Sequence, residues 1–173
     1  MKKFGLLGYP LGHSYSPLIH NRLFELVGLD CEYSLIECNE NELKEKIDSL
    51  RNGYYSGFNV TIPYKKKIME YLDEISTEAF KIGAVNTVAN IDGKIIGFNT
   101  DYYGFKDEII YYNIDVKNKD CYILGTGGAS LAVNKALIDL GGNTYYVSRN
   151  KNGDNIISDR KSTRLNSSHR CIS

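Results

Sequence analysis

A short apolar run, Cys121-Tyr122-Ile123-Leu124, breaks directly into the turn Gly125-Thr126-Gly127-Gly128-Ala129. Helical spacing follows over residues 129–140, Gly141-Gly142 closes it, and a second apolar run fills residues 144–148. That order describes a strand, a tight turn, a helix and a second strand parallel to the first. Parallel strands need both faces covered by other elements, which points to an α/β protein.

The rest of the chain repeats the alternation. Residues 3–7 predict a buried strand, residues 31–37 alternate as a strand, and residues 57–61 form a third that Pro63 ends. Residues 85–90 and 94–98 flank Asp92-Gly93, a strong hairpin signal. Between them, Leu18, Ile19, Leu23, Phe24 and Leu26 recur at helical spacing, with Ser16 as the expected N-cap, Pro17 at the first helical position and Gly28 at the C-terminal end. Residues 40–50 predict an amphipathic helix with Leu43, Ile47 and Leu50 on one face, and residues 64–72, 77–82 and 103–112 predict further helical pieces. The expected architecture is an α/β domain with a largely parallel sheet over residues 1–100, then a partial dinucleotide-binding domain of Rossmann type over 101–157. Residues 158–173 are rich in Ser and Arg, resemble translated sequencing-adapter sequence, and are expected to be a non-native, disordered tail. With one βαβ unit only, the strand at 144–148 is expected to lack its next neighbour.

Charge and cysteine content narrow the function classes. Lys+Arg and Asp+Glu balance at 21 each, so there is no basic field to attract nucleic acid. No apolar stretch approaches the ~20 residues that span a bilayer, which argues against a membrane partner. Cys31, Cys38, Cys121 and Cys171 form no CxxC pair, and reduced thiols in a cytoplasm are expected. His13 and His20 lack metal-spaced partners, so no metal is expected.

Polar groups gather on short loops that follow apolar runs. Asn59-Val60-Thr61-Ile62-Pro63-Tyr64-Lys65, Gly83-Ala84-Val85-Asn86-Thr87 and Asn99-Thr100-Asp101 supply amides, hydroxyls, a lysine and a carboxylate. Such a set suits holding a small polyhydroxylated acid and moving a proton on it. Lys66 and Lys67 read as a wet helix face, whereas Lys65 stands at a strand-to-helix junction where a loop could aim it into a cleft. Spacing alone favours plainer roles for several of these groups. Asp101 reads as a helix N-cap, Asn59, Thr61 and Asn86 as turn-capping groups, and Ser14 and Ser16 as helix caps, Ser14 with less structural reason to be there. The 14 tyrosines read as core and surface packing. The glycine turn could cradle a pyrophosphate at a helix N-terminus, although Ser130 stands where a strict pattern has its third glycine. Some 20 residues on, Ser148-Arg149-Asn150 offers no acid and an arginine that can pair with a 2′-phosphate, which favours NADP over NAD, although taken by itself Arg149 reads as a solvated strand-end residue.

From about Phe4 to Arg149 these motifs together resemble the shikimate dehydrogenases, which reduce 3-dehydroshikimate to shikimate with NADP in chorismate and aromatic amino acid biosynthesis. Gly8-Tyr9-Pro10 and His13-Ser14-Tyr15-Ser16-Pro17 resemble that family's first substrate loop. The resemblance implies that Ser14 and Ser16 bind the shikimate carboxylate, and that Asn59, Thr61, Asn86 and Asp101 hold ring hydroxyls. It implies that Lys65 is the catalytic acid–base residue with Asp101 beside it. It further implies that Gly125, Thr126, Gly127, Gly128 and Ala129 hold the NADP diphosphate while Arg149, flanked by Ser148 and Asn150, reads the 2′-phosphate. Members are longer than this chain, so a fragment with little or no turnover of its own is expected. A homodimer is among the assemblies expected. The alternatives are a non-catalytic shikimate-binding module and a quinate/shikimate dehydrogenase using NAD.

Overall fold

The computed structural model describes residues 1–12, 14–148 and the backbone of 156–158. His13, Arg149, Asn150 and the tail from 159 onward lie outside the described residues. The chain divides into two compact units, Met1–Asn99 and Thr100–Ser173.

The first unit alternates strands and helices as the periodicity predicts. Strand β1 (Lys2–Gly8) leads to helix α1 (Ser16–Leu26), β2 (Cys31–Glu37), α2 (Leu43–Arg51) and β3 (Gly57–Val60). A two-residue strand β4 (Glu74–Ile75), helix α3 (Thr77–Ile82) and the hairpin β5 (Thr87–Ile91) and β6 (Lys94–Phe98) follow. The strands form one sheet in the order β2-β1-β3-β5-β6-β4. The pairings leave β5 as the one strand running against the other five, so the sheet is largely parallel. Asp92 and Gly93 both take positive φ, 52° and 84°, as a two-residue hairpin turn requires.

Alternation along the strands gives the sheet two unlike faces. One carries Leu7, Ile36, Phe58, Val60, Val88 and Ile95, closed by Leu43, Ile47 and Leu50 of α2. The three α2 side chains are at most 1% exposed, and burying each contributes roughly 1.5–3 kcal/mol. The opposite face carries α1 at one end, where Phe24 meets Phe4 with ring centroids 5.9 Å apart. Among the described residues α1 buries no side chain. Its attachment is polar: the Asn21 amide donates to the Tyr33 carbonyl at 2.9 Å and accepts the Tyr33 N–H at 2.8 Å.

Several boundaries differ from the sequence expectation. The N-cap of α1 is Tyr15, not Ser16, and the Ser16 N–H donates to Ser14 Oγ at 3.2 Å. Ser14 therefore has the structural reason that its sequence position did not suggest. The segment 40–50 opens as a 3₁₀ turn, Glu40–Glu42, capped by Asn39 and Glu42 in a reciprocal box, before α2 begins. Residues 64–72 are a turn and a 3₁₀ helix, Lys67–Tyr71, not an α-helix.

In the second unit α4 (Thr100–Tyr111) precedes β7 (Asp120–Leu124), α5 (Gly128–Asp139), β8 (Asn143–Ser148) and β9 (Ile156–Ser158). Asp101 is not an N-cap; it stands inside the first turn of α4. Cys121, Ile123, Ile109, Val116 and Leu137 form the core between sheet and helices. The strand order β7-β8-β9 is parallel throughout. The expectation of a bare edge on β8 is thus corrected: Tyr146, Val147 and Ser148 pair with Ile156, Ile157 and Ser158. Among the described residues no helix is long and apolar enough to cross a membrane.

Candidate active site

Adjacent parallel strands β1 and β3 send their chains to opposite sides of the sheet, toward β2 and toward β4–β6. Crevices outside the carboxyl ends of strands at such a switch point are where α/β sheets bind ligands. The two loops leaving these strands are stitched together. Thr61 N–H donates to the Leu7 carbonyl at 2.9 Å, and Tyr9 N–H donates to the Ile62 carbonyl at 3.0 Å. Gly8 permits the approach, because a Cβ there would lie 2.6 Å from Thr61 Cγ2 and 2.9 Å from the Ile62 oxygen.

Lys65 follows from this stitching. Tyr64, 3% exposed, donates its hydroxyl to the Cys38 carbonyl at 2.7 Å and fixes the loop from beneath. Val85 N–H donates to the Lys65 carbonyl at 2.7 Å and ties it to the strand entering β5. The three lysines separate as their surroundings dictate. Lys66 is exposed, Lys67 pairs with Glu40, and Lys65 is half-buried. The hydrogen bond that Lys67 donates to Glu40 raises the Lys67 pKa above its ordinary value.

Asn59, Thr87 and Asn86 form a directed chain beside this loop. Asn59 Oδ1 accepts the Tyr33 hydroxyl at 2.8 Å, and Asn59 Nδ2 donates to Thr87 Oγ1 at 3.3 Å. Thr87 Oγ1 in turn donates to Asn86 Oδ1 at 3.0 Å. Asn86, 7% exposed, is also held through its backbone: its carbonyl accepts Val60 N–H at 2.7 Å and its N–H donates to Phe98 at 3.0 Å. Asn99, 1% exposed, donates to the Ala84 carbonyl at 2.9 Å and holds the loop before Asn86. Among the described residues no buried side-chain nitrogen or oxygen lacks a hydrogen-bond partner. Burial pushes the Tyr33 phenol up to about 12, so it stays a protonated donor throughout the working range of an enzyme.

Ser14 stands on the loop from β1 into α1 and Ser16 opens α1, with their hydroxyl oxygens 3.2 Å apart. Within the first unit, the structure thus brings Ser14 to Ser16, and Asn59 to Asn86 through Thr87, with Thr61 and Lys65 on the stitched loop. Asp101 belongs to the second unit. Sequence reasoning placed Thr87 and Asn99 on the polar loops without giving them a role, and missed Tyr33. Nothing set Tyr33 apart from the other tyrosines, and only the register pairing Asn59 with Thr87 reveals the latter.

The glycine turn of the second unit fits a diphosphate. Gly125 takes φ 110°, a conformation that favours glycine, and its N–H donates to the Val147 carbonyl at 2.9 Å. Gly127 is the extended N-cap and α5 begins at Gly128, with Thr126 and Ala129 exposed. Among the described residues, Cβ atoms built on Gly125 and Gly127 would meet nothing within 4 Å, so an anion has room beside the helix N–H groups. Ser130 Oγ donates to the Gly127 carbonyl at 2.7 Å and braces the turn from the position a third glycine would take. Ser148 ends β8, and no group of three or more His, Cys, Asp or Glu suited to a metal occurs among the described residues.

Comparison with known proteins finds relatives named shikimate dehydrogenase. The family model for the "shikimate dehydrogenase substrate binding domain" matches residues 6–88. A Clostridium beijerinckii protein named shikimate dehydrogenase (NADP(+)) is 44% identical over 162 residues, covering 93% of this chain and 60% of that protein. The crystal structure of shikimate dehydrogenase 1 from Peptoclostridium difficile superposes with a TM-score of 0.88 at 40% identity, over 95% of this chain and 63% of that one. Shikimate 5-dehydrogenase from Thermus thermophilus, solved with NADP(H) and shikimate, gives a TM-score of 0.78 at 36% identity, over 86% and 56%. The chain spans about 60% of the length of the Clostridium beijerinckii relative.

Proposed function

We propose that the chain belongs to the shikimate dehydrogenase family, whose substrate-binding-domain model matches residues 6–88, and that it serves the NADP-dependent, reversible reduction of 3-dehydroshikimate to shikimate. Residues 1–100 are the shikimate-binding unit, and residues 101–157 begin the NADP-binding unit. The observation that carries this reading is the directed run of donors from Tyr33 through Asn59 and Thr87 to Asn86, set beside the stitched loop of Lys65. A fixed row of amides and hydroxyls suits a ring bearing several hydroxyl groups.

In this proposal the Ser14 and Ser16 hydroxyls donate to the substrate carboxylate. Asn59, Thr61 and Asn86 hold ring hydroxyls and so fix which carbon faces Lys65. Lys65, as an ammonium, gives a proton to the C3 oxygen as the carbonyl is reduced and takes it back in the reverse direction. The role of Asp101 in orienting the reacting hydroxyl rests on the resemblance. The backbone amides of residues 125–129 would hold the NADP diphosphate, and Arg149 with Ser148 and Asn150 the 2′-phosphate. NADP, when bound, supplies or accepts the hydride. Balanced charge supports the absence of a nucleic-acid partner, and the free cysteines Cys31, Cys38 and Cys121 support a reducing, cytoplasmic setting.

Thermal denaturation with shikimate tests the binding half of the reading. At ~100 Kd of ligand, linkage stabilises the chain by about 2.7 kcal/mol, a Tm rise of about 5–10 °C for a protein of this size. A Tm unmoved by millimolar shikimate would remove the proposal. Quinate in parallel reports how widely the site accepts related acids.

A further inference from the structure

We infer that Tyr33 is a positioning residue of the substrate site, setting the orientation of the Asn59 amide and, through His20, the helix end of the serine loop. The inference rests on the proposed function and adds residues that neither spacing nor the family motifs singled out. Tyr33 sits on β2 and Asn59 on β3, with β1 between them, yet both lie on the α1-bearing face of the sheet. The Tyr33 ring reaches over β1 to place its hydroxyl 2.8 Å from Asn59 Oδ1.

An amide can be turned either way, and its neighbours decide which end presents donors. Thr87 Oγ1 gives its proton to Asn86, so it accepts from Asn59 and must face Nδ2. Tyr33 completes the choice by giving a proton to Oδ1. With Oδ1 occupied, the second N–H of Nδ2 is what Asn59 offers to a substrate hydroxyl. Burial keeps the Tyr33 phenol protonated, so this direction does not reverse with pH in the working range. Without that hydroxyl, Asn59 loses one of the two partners that distinguish its ends and keeps only the longer bond to Thr87.

Tyr33 also reaches the serine loop. The His20 ring stacks on it, with centroids 4.1 Å apart and planes within 11°. His20 Nδ1 donates to the Ser16 carbonyl at 2.9 Å. The backbone of Tyr33 is meanwhile fastened to α1 by both ends of the Asn21 amide. One side chain and its stacked partner therefore join the residues proposed for the carboxylate to those proposed for the ring hydroxyls.

The test is a double-mutant cycle on shikimate affinity, measured by calorimetry on the full chain. Tyr33→Phe keeps the ring, its burial and its stacking on His20, and removes only the hydroxyl. The expected result is a Kd about tenfold higher, the scale of one hydrogen bond that fixes a donor. In an Asn59→Ala background the same substitution should change Kd by less than about twofold, because no amide is left to orient. In a panel of singly deoxygenated shikimates, one analogue should bind the original and Tyr33→Phe chains alike. Thr87→Val, which breaks the run from the other side, should reproduce the Tyr33→Phe loss if Tyr33→Phe proves too unstable to assay. Equal losses in both backgrounds, or an unchanged Kd in Tyr33→Phe, would overturn the inference while leaving the function standing. Failure of the unaltered chain to bind shikimate would overturn both.

Discussion

Replacing Lys65 by alanine is expected to slow shikimate oxidation by about 10²–10⁴-fold, the range that a positioned proton donor contributes. At ~1.36 kcal/mol per decade this corresponds to roughly 3–5 kcal/mol of transition-state stabilisation. Shikimate affinity should move only a few-fold, since the amides and hydroxyls around the ring are untouched. The asymmetry follows from the way Lys65 is mounted. Its carbonyl is tied to Val85 and its neighbour Tyr64 to Cys38, so truncating the side chain leaves the loop in place. Turnover can be followed as NADPH formation in a fusion that supplies the remaining length of the Clostridium beijerinckii relative, and affinity on the 173-residue chain itself. Comparable losses in rate and affinity would reassign Lys65 to binding.

Gly8→Ala is expected to damage the first unit and its ligand site together. Its new Cβ would stand 2.6 Å from Thr61 Cγ2, 2.8 Å from Leu11 Cδ2 and 2.9 Å from the Ile62 carbonyl oxygen. A methyl side chain could rotate aside; the Ile62 backbone oxygen cannot. The loops after β1 and β3 must then part, which strains the Tyr9-to-Ile62 hydrogen bond and displaces Thr61 together with the loop that carries Lys65. Overpacking of this kind costs roughly 1–3 kcal/mol, or about 2–12 °C in Tm for a protein of this size. Shikimate affinity should fall by about tenfold or more, because groups held for one ring move apart. Unchanged affinity beside a lowered Tm would show that loop spacing is irrelevant to the ligand.

Much of this architecture was legible in the residues because local signals and tertiary packing agree there. Glycines at both ends of the run 121–142 bracket a helix found one residue from its expected start and end. Asp92-Gly93 could hardly be anything but a tight hairpin, and the spacing of Leu43, Ile47 and Leu50 marks a buried face. The misses have physical causes. Tyr64 and Ile68, four apart and both buried, satisfy a helical pattern equally well when the chain between them is a turn and a 3₁₀ helix. Glu74–Ile75 is too short for any period to show, and β9 follows a polar, glycine-containing stretch that gives no strand signal. Candidate site residues at strand ends were nameable from their types. The network holding them was not, because Tyr33 meets Asn59 across 26 positions of sequence and a whole intervening strand.

The polar mounting of α1 has a dynamic consequence. A helix that buries no side chain fully, and is held by the Asn21 amide and two aromatic contacts, has a small free energy of opening, so it should detach while the sheet beneath stays intact. Its amide protons should trade with deuterium well ahead of those of α2, whose three core side chains are sealed. An arriving acid anion that engages Ser14 and Ser16 would then quieten this segment, and part of the recognition energy would go into damping that motion.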